Sequence, residues 1–233
     1  MASREQALAE FYEAAAGPLS WSTSDVAVGE CGGRRVRFEP YTPNIGGGNR
    51  VLRGAQVYVD LGGRVITTEI HNRKRTSFAL PEVLTGDPEF DDLFVVYGWP
   101  ETTIREALDH ETRRWFQEEW PNGFPPVSVQ GRELVGIIRL FESSATPRIS
   151  EDEFRHEVAQ LASFGTRLIE AYDEEKAEEA RFGVDGGSAW EENLTALEAK
   201  RVQTRKTVRL AVFGGLALLV AVIFAAVVFS CGP

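Results

Sequence analysis

Residues 54–71 read GAQVYVDLGGRVITTEIH, and this stretch decides the fold class. Two runs rich in Val, Ile, Thr and Tyr flank Gly62-Gly63, whose missing side chains admit the positive backbone angles of a tight turn. The pattern predicts an antiparallel hairpin in which 54–61 pairs with 64–71. Upstream, Val26 and Val28 alternate around Ala27, and Val36 and Phe38 alternate beyond Gly32-Gly33, which predicts another hairpin. Downstream, Val127 and Val129 before Gly131, then the run from Leu134 to Phe141, predict a third. The apolar run Phe94 to Tyr97 reads as a short strand.

Helical spacing fills the remainder. Leu8, Phe11, Tyr12 and Ala15 give residues 4–16 an apolar face that Gly17-Pro18 ends. Ile104, Leu108, Trp115, Phe116 and Trp120 supply a buried face over 101–120, broken near His110, with Arg113 and Arg114 on the wet side. Ser150 and Glu153 form a capping-box pattern, after which Phe154, Val158, Leu161, Leu168 and Tyr172 recur at helical spacing. Gly165 lies in that stripe and predicts a close approach to a neighbouring element. The order gives an α+β fold, a mainly antiparallel sheet packed by helices, over residues 1–180.

The chain has 233 residues, 35 acidic and 25 basic, for a formal charge of -10. An acidic balance argues against nucleic acid as a partner, because phosphate contacts need a basic footprint. The 14 Phe and 5 Trp exclude a wholly disordered chain. Cys31 and Cys231 are too few for a disulfide framework or a four-thiolate metal site.

The charge is unevenly placed. Residues 210–231 read LAVFGGLALLVAVIFAAVVFSC, 22 positions without a charge, Asn, Gln or Pro. At about 1.5 Å per residue this makes a helix of roughly 33 Å, long enough to cross a bilayer. Lys200, Arg201, Arg205, Lys206 and Arg209 precede it, and no acidic residue follows Glu198. Basic flanks stay in the cytoplasm, so the expected topology is a C-terminal transmembrane helix with a cytoplasmic domain before it. The N-terminus MASREQALAEFYEAAAG lacks a signal-peptide apolar run. Residues 181–209 read as a Gly-rich linker and basic juxtamembrane stalk. Ala217, Ala221 and Ala225 recur at four-residue spacing, a face through which two spans can associate. Cys231 lacks the context of a lipid attachment signal.

No reactive constellation emerges. His71, His110 and His156 stand in no ligand spacing, and Asp152 with His156, or His110 with Glu111, makes only a two-group cluster. Asp87, Glu89, Asp91 and Asp92 lack the register of a calcium loop, and Phe90 with Phe94 suggests that part of this cluster opens a strand. Gly46-Gly47-Gly48, near Arg50 and Arg53, has no P-loop context. Cys31 has no evident activating base. Arg73, Lys74 and Arg75 form a small basic patch. No catalytic, cofactor or metal residue is therefore assigned, and no cofactor is expected.

The segment TGDPEFDDLFVVYG, with Phe90, Phe94 and Val96 in an extended Phe-x-x-x-Phe-x-Val pattern, resembles a loosely defined bacterial family of membrane-associated domains of unknown function. The chain departs from that pattern at Gly98-Trp99-Pro100 and in carrying its apolar segment at the C-terminus. The resemblance implies membrane association and brings no catalytic residue. The expected function is a noncatalytic interaction or sensing module tethered to the bilayer through 210–231, facing an unidentified cytoplasmic protein or small ligand. The alternative is a membrane-associated enzyme, which would need a pocket uniting a histidine with two or more carboxylates.

Overall fold

Among the described residues nine strands join in one sheet, with antiparallel pairing throughout, in the order β1-β2-β3-β4-β9-β8-β5-β7-β6. The computed structural model describes residues 4–23, 26–43, 52–72, 80–119, 127–130, 132–141 and 147–182. Met1–Glu178 form one compact unit. The chain opens with α1 (Arg4–Ala16), ended by Gly17 at φ 66°, whose N–H donates to the Glu13 carbonyl at 2.9 Å. Then come β1 (Ser20–Thr23), β2 (Val26–Cys31), β3 (Arg34–Tyr41), β4 (Gly54–Asp60), β5 (Thr67–Asn72) and β6 (Glu82–Val83). They are followed by α2 (Pro88–Leu93), β7 (Phe94–Trp99), α3 (Glu101–Ala107), α4 (His110–Glu119), β8 (Val127–Gln130), β9 (Glu133–Arg139) and α5 (Glu151–Phe182).

The hairpin expected across Gly62-Gly63 does not form. Both strands exist, and both glycines take positive φ, 60° and 82°. The turn is closed locally, with the Gly62 N–H donating to Asp60 Oδ1 at 2.8 Å and the Arg64 N–H to the Leu61 carbonyl at 3.3 Å. Yet β4 pairs with β3 and β9, and β5 pairs with β7 and β8. The β8–β9 hairpin enters between them, holding β4 and β5 about three strand spacings, roughly 14 Å, apart. Leu61 and Ile66, fully buried on either side of the turn, draw the chain into the core instead of back along β4. Strand periodicity marks which residues are extended; it does not choose the partner.

In the hairpin of β2 and β3, Ala27, Val36 and Phe38 are buried while Val26 and Val28 stay partly exposed, so the inward residue of β2 is the small one. Ala27 stands in a cross-strand row, Trp21–Ala27–Phe38–Val57–Gly136–Val127–Ile70–Val96–Val83, that crosses all nine described strands. Helix α5 packs on this face through the expected stripe, with Phe154, Val158, Leu161 and Leu168 buried and Tyr172 at its edge. A Cβ placed on Gly165 would stand 3.0 Å from Val59 Cγ1, which is the close approach its position predicts. Helix α1 covers the β2–β3 end, where the Tyr12 ring stacks on Phe38 at 4.6 Å and 19°.

The segment at 88–93 is a helix, not the opening of a strand. Asp87 caps it, accepting from the N–H groups of Glu89 and Phe90 at 3.1 and 3.2 Å, and Pro88 sits where its missing N–H costs nothing. Phe90, Phe94, Phe116 and Phe164 then form a chain of ring contacts 4.8 to 6.1 Å apart that ties α2, β7, α4 and α5 together. Arg113 is not on the wet side: its Nε donates to Asp87 Oδ2 at 3.0 Å, and its guanidinium also meets the Leu108 carbonyl.

Among the described residues no helix is long and apolar enough to cross a membrane. The span expected at 210–231, with Ala217, Ala221, Ala225 and Cys231, lies outside the described residues, as do stalk residues 183–209. So do Gly46-Gly47-Gly48, Arg50, Arg73-Lys74-Arg75 and Trp120.

Candidate functional site

A pocket of about 230 Å³ opens at the corner where α1 meets the edge of the sheet. Glu5, Leu8, Ala9 and Tyr12 follow one stripe of α1 and form its first wall. Trp21 of β1 forms the second, and Pro40, Thr42 and Leu52 complete it. Tyr12 is locked by Phe38 on one side and lies 6.5 Å, ring to ring, from Trp21 at a 37° tilt. The lining is mostly apolar, with Glu5 and Thr42 as its polar side chains beside the aromatic Tyr12 and Trp21. Among the described residues its lining holds one carboxylate, Glu5, and no histidine.

The opposite face of the sheet carries a charged network. Arg37 lies with its guanidinium carbon 3.6 Å from the centre of the Tyr58 ring and pairs with both Glu39 and Glu133, the latter through two bonds of 2.7 and 3.3 Å. The Tyr58 hydroxyl donates to Glu39 at 3.2 Å. Burial, then the adjacent Glu39 carboxylate, pushes the Tyr58 phenol above its ordinary value. Further along this face, His71 Nε2 lies 3.0 Å from Glu69 Oε2. Ser128, on the adjoining strand, is registered with Glu69.

The remaining candidates fasten the fold. Asp91 accepts from the Thr85 hydroxyl at 2.8 Å and from the N–H groups of Thr85 and Gly86, each at 3.2 Å, shaping the turn before α2. The Phe90 N–H first, and then Arg113, hold the Asp87 carboxyl below its ordinary value. Glu111 and Asp109 both bind Arg167 of α5, while exposed His110 begins α4. Asp152 pairs with Arg155 at 2.7 Å, and His156 points to solvent. Cys31 is half-buried and desolvation raises its thiol, which works against a thiolate nucleophile. Among the described residues no group of three or more His, Cys, Asp and Glu side chains could hold a metal ion.

Among the described residues one titratable group is strongly perturbed. Glu157 of α5 is pushed up to about 8 by burial and then by its hydrogen bond and like charge with Glu119 at the end of α4. Neither residue lines the pocket beside Trp21. Another contact that sequence reading missed is Glu175, whose Oε2 accepts from the Thr103 N–H at 3.1 Å and from the Thr103 hydroxyl. It caps α3, where Pro100 offers no side-chain cap.

No family model, curated protein or solved structure matches the chain. Phe90, Phe94 and Val96, which carry the resemblance noted above, are core residues exposed by 0%, 2% and 1%. Their spacing therefore reports how β7 packs and names no site.

Proposed function

We propose that the protein is a noncatalytic interaction or sensing module tethered to a membrane through residues 210–231, with its α+β domain on the cytoplasmic side. The observation that carries the reading is the uncharged 22-residue segment placed directly after five basic residues. Its family resemblance points the same way. The domain contributes a preformed, mostly apolar pocket, and several of its acidic and basic side chains are engaged in caps and ion pairs between elements. Small residues Ala217, Ala221 and Ala225 give the span a face for self-association.

The enzymatic alternative draws its support from Glu157, because a carboxyl that stays protonated near neutrality can serve as an acid. It would have to act away from the pocket.

Carbonate extraction of membranes tests the tether. The full chain should stay in the pellet, and a chain ending at Arg209 should move to the supernatant and keep a cooperative urea transition. A truncated chain that stays in the washed membrane would overturn the single-anchor reading.

A further inference from the structure

We propose that one end of the α4–α5 seam is an alkaline-sensitive latch, in which Glu119 and Glu157 share a proton whose loss frees the last turn of α4. This deepens the sensing reading, on which it rests, by naming the proton as what the module senses. The two helices run antiparallel, since their contacts climb α4 as they descend α5. Arg167 binds Asp109 at 3.0 Å and Glu111 at 2.5 Å, the Phe116 and Phe164 rings lie 5.8 Å apart, and Glu119 meets Glu157. A cation between two carboxylates therefore holds one end of the seam, and two carboxyl groups close the other.

The latch is closed by protonation. Glu157 is half-buried, and its Oε2 is shut off from water and accepts no hydrogen bond among the described residues. A charged oxygen there would go unsolvated, so the carboxyl keeps its proton and bonds to Glu119. Neighbouring cations are engaged elsewhere: Arg113 binds Asp87, Arg114 binds Glu118 and Arg155 binds Asp152. Glu153, one turn before Glu157, accepts from the Ser150 hydroxyl at 2.8 Å, and His156 is exposed. Helix α1 and strand β3 meet this part of α5 through Phe11, Tyr12 and Phe38, whose rings contact Phe154. Residues 120–126 carry no titratable side chain, and residues 142–146 carry Glu142 alone. Once the proton leaves, two like charges face each other, and α4, anchored at Asp109 and Phe116, yields at its other end.

Hydrogen exchange of the full-length chain in detergent tests this, corrected for the intrinsic effect of pH and compared at about pH 6.5 and about pH 9. Protection of residues 116–119 should fall about tenfold, which is what one pH unit beyond the titration near 8 supplies, while β4 stays within about twofold. Glu157→Gln, which keeps an N–H donor toward Glu119, and Glu119→Gln, which removes the like charge, should each hold the turn closed at both pH values. If either variant fails to fold, the other and the wild-type comparison decide. Unchanged protection of 116–119, an equal fall in β4, or the same local fall in folded Glu157→Gln would overturn the latch. Carbonate extraction reports on the tether separately. A chain that opens locally yet leaves the washed membrane keeps the latch and loses the tether, and one that stays without opening loses the latch alone.

Discussion

Leu161 of α5 fills the notch that Gly136 leaves in β9: a Cβ at Gly136 would stand 2.5 Å from Leu161 Cδ1 and 2.8 Å from its Cδ2. Gly136 lies in the middle of the row that crosses the sheet, between Val57 and Val127, so this contact sets how closely the long helix approaches the central strands. Gly136→Ala should therefore cost about 1–3 kcal/mol by overpacking. The urea midpoint checks it, and an unchanged midpoint would show that the helix does not rest there. Gly165→Ala should cost less, because the gain in helix propensity, about 1 kcal/mol, offsets the tighter 3.0 Å approach to Val59.

Stability should fall as pH rises from the ordinary carboxylate value of 4.5 through about 8, because folded Glu157 holds a proton that the unfolded chain releases. Its contribution is complete below 4.5 and is lost above about 8, with a slope of at most roughly 1.4 kcal/mol per pH unit for one proton. Glu157→Gln keeps a hydrogen-bond donor facing Glu119 and should flatten the profile. Urea midpoints at several pH values check this, and parallel profiles for the two proteins would contradict it.

Glu175→Ala should destabilise the fold by about 1–2 kcal/mol, because it removes the acceptor for the Thr103 N–H and hydroxyl at the start of α3. Hydrogen exchange should quicken first in α3. Unaltered protection there would mean that solvent caps the helix equally well.

The local signals were legible wherever one element carried its own evidence. Gly17-Pro18, the Ser150–Glu153 capping box and the Gly165 stripe all describe contacts within a few residues or one helix face. Sheet order was not legible, because Val57 and Ile70 read alike whether their strands pair or stand apart with β8 and β9 between them. Helix α2 was missed although Asp87, Pro88 and Glu89 spell an N-terminus, since its six residues are too few to show a period. The pocket drew on Leu8, Trp21, Pro40 and Leu52, which converge only after the sheet has formed and share no sequence pattern.

Replacing Ala221 with Ile should weaken self-association of the span while leaving it inserted, because the larger side chain blocks close backbone approach and remains apolar. A two-helix association assay in membranes, at matched expression, checks this. Equal association would remove the small-residue face from the account.

Cys31 and Cys231 are the chain's two cysteines, one in the domain and one at the far end of the apolar segment. A membrane-impermeant maleimide applied to intact cells therefore tests tether and orientation together. The tethered topology places Cys231, and a Pro233→Cys variant, where they are labelled from outside, with half-buried Cys31 labelled only after lysis and denaturation. Labelling of Cys31 in intact cells, or protection of both position 231 and position 233 until lysis, would contradict it.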